Sequence, residues 1–154
     1  MLELAVASVA FVMGAAIPPR YSGVGENLSP PLEWGPVPTG TVSIAILCDD
    51  PDAPVGDWVH WVLFNLPPDV KKLDEGVPAR DRLPNGAVQG LNDSRRVGYD
   101  GPCPPPGRPH RYLFKVFALD VKLSLTSAAR KKDLLKAMQG HILAQGQLMG
   151  TFRR

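Results

Sequence analysis

Apolar residues in this chain come in short runs, and proline and glycine cut the runs apart. Between residues 41 and 49, Val42, Ile44, Ile46 and Cys48 alternate with Ser43, Ala45, Leu47 and Asp49, and both sets are mostly apolar. Alternate strand positions point to opposite faces, so a strand apolar on both faces is covered on both and belongs at the centre of a sheet. Residues 111–119 read the same way, and these two segments are the expected core. Further strands are expected at 2–11, 58–66, 87–89 and 142–152, each bounded by turn formers. One segment has a helical pattern instead: Thr126 or Ser127 can cap its start, Ala128 to Met138 are mostly good helix formers, and Gly140 can close it in a left-handed conformation. Leu134, Leu135 and Met138 form its core-facing stripe, with Lys131 and Lys132 on the solvated side.

Seventeen prolines and fifteen glycines in 154 residues favour strands joined by fixed turns. The length suits one domain, 1–154, with a sizeable core. Seventeen basic against fifteen acidic residues give a net charge of +2 without a concentrated basic stripe, so nucleic acid is not an expected partner. Cys48 and Cys103 show no metal-site or disulfide spacing, which fits a reduced, cytoplasmic chain. The apolar stretch from Leu4 to Met13 lacks a preceding Lys or Arg and is shorter than the roughly 20 residues that cross a bilayer; a first strand is the better reading, and stable membrane insertion is not expected.

Candidate chemistry concentrates in two loops. Asp50-Pro51-Asp52-Ala53-Pro54 leads into Trp58-Val59-His60-Trp61, and Gly101-Pro102-Cys103-Pro104-Pro105-Pro106-Gly107-Arg108-Pro109 leads into His110-Arg111-Tyr112. Each X-Pro step restricts two residues, so these loops lose little entropy when a ligand binds. Asp50 is expected at the end of a strand, Asp52 as a turn residue bonding the backbone two positions on, and a cis peptide at Ala53–Pro54. Trp58 and His60, two apart on a strand, share a face. A lone strand histidine is more often packed core than ligand, and His110 alone reads as a surface turn residue. Together, two imidazoles near a carboxylate, with backbone N–H groups such as that of Gly101, suit a phosphate or carboxylate. Tyr112 would add a hydroxyl, Trp58 an apolar wall, and Pro54, Pro102 and Pro104 rigid sides. No nucleophile elbow, phosphate-binding loop or dinucleotide fingerprint is present, so a binding protein without cofactor is preferred to an enzyme. Two histidines and a carboxylate are also a non-haem metal set, although no short metal-ligand spacing accompanies them.

The motifs DPDAP, W-x-H, GPxPP and HRY, with Ile17 to Tyr21, Gly25 to Trp34, Gly90 to Asp93 and Gly140 to Phe152, resemble the phosphatidylethanolamine-binding protein family, also called the Raf kinase inhibitor protein family, in its short bacterial and archaeal branch. The resemblance covers nearly the whole chain. It implies a mainly β fold of two packed, mostly antiparallel sheets with Greek-key connections and one main helix near the C-terminus. It further implies a metal-free ligand site of Asp50, Pro54, Trp58, His60, Gly101, Pro102, His110 and Tyr112. Expected partners are a small anion (phosphate, phosphorylethanolamine or carboxylate) and a kinase or serine protease as target, with a homodimer left open. A serine protease inhibitor acting through a surface loop, and a metal- or histidine-dependent enzyme on small phosphorylated or carboxylated substrates, remain alternatives. Ser94-Arg95 stands where the family often carries an aromatic residue and a glycine, which places the basic pair Arg95-Arg96 at the expected rim.

Overall fold

A computed structural model describes residues 2–154. Its elements are β1 (Leu2–Glu3), β2 (Val6–Ala7), β3 (Leu32–Trp34), β4 (Ser43–Asp50), β5 (Trp58–Leu66), β6 (Lys72–Leu73), β7 (Val88–Gln89), β8 (His110–Leu119), helix α1 (Lys131–Met138) and β9 (Ile142–Phe152). One sheet has six strands in the order β1-β9-β8-β4-β5-β7, and a second has three in the order β2-β3-β6. All pairings are antiparallel except β1 with β9. The expected architecture, mainly β with two sheets and one helix near the C-terminus, is what the chain adopts.

The two-faced apolar pattern of β4 is explained by what covers it. Ile44, Ile46 and Cys48 face a core shared with Val6, Leu32, Trp34 and Leu73 of the small sheet. Ala45 and Leu47 face a second core closed by Leu134 and Met138 of α1. All eight β4 residues are buried. On β8, Tyr112, Phe114, Val116 and Ala118 join the inter-sheet core, whereas Phe117 and Leu119 face the helix side.

Several expectations need correction. The strand expected over 2–11 is two short pieces, because the chain crosses between sheets there: β1 pairs with β9 and β2 with β3. Leu4, Val6 and Phe11 are nonetheless buried in the inter-sheet core. Strands β3 and β6 were not expected; they are only three and two residues long, too short for an alternation to declare itself among flanking prolines.

The helix begins at Lys131, not at Thr126 or Ser127. The Thr126 hydroxyl accepts the Ala128 N–H at 3.2 Å and its carbonyl the Ala129 N–H at 3.0 Å, closing a separate turn. The helix start is held by Asp133, whose carboxylate accepts the Arg130 N–H at 2.9 Å. Gly140 does take the left-handed conformation expected after the helix, with φ +79°. Leu135 is 42% exposed and is not part of the packed stripe. Lys131, conversely, is not on a free solvated face: its ammonium pairs with Asp49 at 2.7 Å and with Asp57.

The two leucines provide a test of the helix face. Leu134→Ala should cost about 2–5 kcal/mol in urea unfolding, the range for emptying a buried site, while Leu135→Ala should change stability by less than about 1 kcal/mol.

Candidate functional site

Three adjacent strands bring the chemistry-bearing residues together. Asp50 ends β4, two positions beyond Cys48 and therefore on the inter-sheet face; His110 and Tyr112 open β8 on the same face as Phe114. Asp50 is in register with Trp58, the first residue of β5. The β4–β5 register shifts between Cys48, which faces Trp61, and Asp49, which faces Val59, so His60 is the unpaired residue of a bulge. A bulge turns a side chain out of strict alternation. Trp58 and His60 keep the two-residue alternation and line the cavity wall with Val59 between them on the helix side, and the bulge is what lets Trp61, next in sequence, also turn into the inter-sheet core.

The resulting cavity has a volume of about 340 Å³. Asp50, Pro54, Trp58, His60, Gly101, His110 and Tyr112 line it, as do Ser94, Asp100 and Cys103, which sequence reasoning did not assign to the site. Pro102 does not line it: it is buried, and its carbonyl accepts the Gly23 N–H at 2.8 Å, anchoring the proline-rich segment to the N-terminal region. Pro104 does form part of the wall.

The hydrogen bonds define what each group offers. His110 Nδ1 donates to Asp50 Oδ2 at 2.7 Å. The other Asp50 oxygen accepts the Asp52 N–H at 2.7 Å, so the turn-forming bond expected of Asp52 belongs to Asp50 instead. Asp52 grips Arg111, accepting its backbone N–H at 3.0 Å and both Nε and Nη2 at 2.9 Å. The Ala53–Pro54 peptide is trans, since no described residue follows a cis bond; a turn from Ala53 to Gly56, with φ +96° at the glycine, makes the reversal.

His60 is only 5% exposed. Its Nδ1 lies 2.5 Å from the Asp100 carbonyl oxygen, which can only accept, so Nδ1 carries the proton. Burial holds its pKa below the ordinary histidine value, against the opposing pull of the Asp100 carbonyl and of the Asp50, Asp100 and Asp93 charges. The ring meets Tyr112 edge-on, with centroids 5.2 Å apart. Burial, then the Asp50 charge, push the Tyr112 hydroxyl far above its usual range. Burial would raise Asp100, but the Ser94 hydroxyl at 2.6 Å and the Asn27 amide at 3.0 Å leave it lower than an ordinary aspartate.

Gly101 does not offer its N–H to a ligand, because the N–H donates to Asn27 Oδ1 at 2.7 Å. Its glycine identity has a packing reason: a Cβ there would lie 2.4 Å from the Tyr21 carbonyl oxygen. Among the described residues, no group of three or more His, Cys, Asp or Glu side chains is arranged to hold a metal ion. No helix of the described residues is long and apolar enough to cross a membrane.

Fold and cavity together describe a two-sheet β protein with a cavity that gathers Asp50, His60, His110 and Tyr112 at the shared end of β8, β4 and β5. The chain belongs to the phosphatidylethanolamine-binding protein family, whose model matches residues 7–153. It is 55% identical over 138 residues to a UPF0098 protein of Methanothermobacter thermautotrophicus, covering 90% of this chain and 91% of the relative. A UPF0098 protein of Aquifex aeolicus is 45% identical, with 97% and 88% covered. The crystal structure of CT736 of Chlamydia trachomatis, titled a homologue of phosphatidylethanolamine-binding protein, superposes with a TM-score of 0.90 at 42% identity, covering 100% of this chain and 99% of that one. Escherichia coli YbcL, titled a new member of the mammalian family, gives 0.91 at 35% identity with 99% of each chain covered.

The Asp52–Arg111 contact generates a prediction about acid stability. Hydrogen bonds from Arg111 hold the Asp52 carboxyl down at about 2. Its stabilising effect is full above the unfolded value near 3.9 and is lost as pH falls through about 2. Thermal unfolding midpoints of wild type and Asp52→Asn should therefore differ most above about pH 4 and converge toward about pH 2. The difference should be small and salt-sensitive, because the pair is partly exposed.

Proposed function

We propose that this protein is a small-ligand-binding protein whose cavity holds a phosphate or carboxylate group, with phosphorylethanolamine as a representative ligand. The observation that carries the reading is the His110–Asp50 pair, joined at 2.7 Å and opening with His60 and Tyr112 on one proline-walled cavity. The cavity wall contains no Lys or Arg. Positive charge for an anion must therefore come from an imidazole, and burial works against a charged His60. His110 is the ring whose protonated form has a carboxylate partner in contact, which leaves Nε2–H to face the ligand.

Binding is preferred to catalysis because the cavity hydroxyls are not activated as nucleophiles. Ser94 donates to Asp100, and the Tyr112 phenol resists ionisation. The reading extends to regulation of a kinase or serine protease in the cytoplasm. Val55, 77% exposed beside Pro54, and the exposed Arg95 and Arg96 beside Ser94 offer an apolar tip and two cations as a contact surface for such a target. The two free cysteines suit a reducing compartment.

Calorimetric titration with phosphorylethanolamine tests the site. Affinity should fall as pH rises from about 6 to about 8, because imidazole is the cavity wall's source of positive charge and imidazoles in general lose their proton over that range. His110→Ala should weaken binding at the lower pH by at least about tenfold, the worth of a charge-assisted hydrogen bond. Equal affinity at the two pH values, or an unaffected His110→Ala variant, overturns the reading.

A further inference from the structure

We propose that the cavity selects a phosphate monoester that still carries one proton, its P–OH donating to His60 Nε2, over phosphodiesters and sulfate esters of the same alcohol. The inference rests on the anion-pocket reading above and names the ligand class within it. With Nδ1 committed to the Asp100 carbonyl at 2.5 Å, a neutral His60 has a lone pair at Nε2. Among the described residues that nitrogen has no hydrogen-bond partner, and it is not one of the buried unpartnered polar atoms, so it is open to the cavity that its ring lines.

Around His60 stand Asp50 from the end of β4, His110 and Tyr112 from β8, Asp93 and Asp100 from the segment 92–101, and Cys103 on the proline-rich segment. None of these donates to Nε2. Turning Nε2 into a donor requires either giving up the Asp100 carbonyl bond or charging a ring that is 5% exposed, and burial opposes the charge. A sulfate ester or a phosphodiester brings only lone pairs to this position. A monoester monoanion brings one O–H for His60 and oxygens that accept from protonated His110. Its second proton leaves near pH 6, so the competent form is abundant there.

The test compares three ligands that share one amino alcohol, titrated at about pH 6: phosphorylethanolamine, glycerophosphorylethanolamine and 2-aminoethyl hydrogen sulfate. The monoester should bind at least about tenfold more tightly than either analogue, the effect of leaving a buried acceptor unpaired. In His60→Phe, that preference should shrink to about twofold or less, with the fold checked by circular dichroism. Monoester and analogues binding within about twofold of one another in wild type leave the anion-pocket reading standing and overturn this inference. So does a His60→Phe variant that keeps the tenfold preference. If none of the three binds, both readings fall together.

Discussion

Double-sided burial of β4 is the constraint on which the rest of the molecule depends. A strand covered by the small sheet on one face and by α1 on the other has no register freedom, because a one-residue slip would exchange Ile44, Ile46 and Cys48 with Ala45, Leu47 and Asp49 between two differently shaped cores. With β4 locked, its neighbours β5 and β8 are locked through long antiparallel ladders. The cavity is what happens where those ladders run out. Apolar alternation gives way to Asp50, Trp58, His60, His110 and Tyr112 at one end of one face, and the prolines roof that end.

Placing carboxylates in such a position demands an answer for each charge, and the structure supplies two different ones. Asp49 and Asp50 are adjacent and point to opposite faces. Asp49, 1% exposed, is neutralised by the ammonium groups of Lys115 at 3.1 Å and Lys131 at 2.7 Å. Both ammonium groups meet Oδ2, while the buried Oδ1 has no hydrogen-bond partner; cation pairing is the expected arrangement for a buried structural charge. Asp50 instead receives a backbone N–H and an imidazole, and Asp100 an amide, a hydroxyl and a longer contact to Arg96 at 3.4 Å. Asp50 thus has hydrogen-bond partners on both oxygens and no Lys or Arg in contact. The contrast between neighbours in sequence separates a charge that holds the fold from one placed to respond.

The strands that lie wholly within the sequence's clearest alternations, β4, β5, β8 and β9, were legible to within a residue or two, because long period-two patterns survive the noise of single residues. The small sheet was not, since strands of two or three residues carry no period and owe their existence to packing on a core that only the fold creates. At the site, proximity of Asp50, His60 and His110 was reached through motif resemblance, not through spacing alone. Cys103 and Ser94 were read as neighbours of the pocket and its rim but not as lining residues, and Asp100 was given no role, because these residues lie on irregular segments whose path depends on contacts such as Asp100 N–H to the His60 carbonyl at 3.0 Å. The reassignment of Asp50 and Asp52 has the same origin: either aspartate can close a turn locally, and a guanidinium 59 residues away decides which one does.

Rigidity of the cavity rim also proves to have more than one source. Prolines restrict the backbone of the 50–57 loop but do not attach it to the body. That attachment comes from its two ends and middle: Asp50 to His110, Asp52 to Arg111, and Asp57 to Lys131 at the first turn of α1. Burial alone would lower the Lys131 pKa, yet its hydrogen bonds to Asp49 and Asp57 raise it, so this tether stays charged throughout the range in which imidazoles titrate. Two of the three tethers, Asp52–Arg111 and Asp57–Lys131, contain no imidazole and hold the rim independently of histidine protonation. Those two pairs preorganise the pocket, and the Asp50–His110 contact is the one tether that joins the rim to an imidazole of the site.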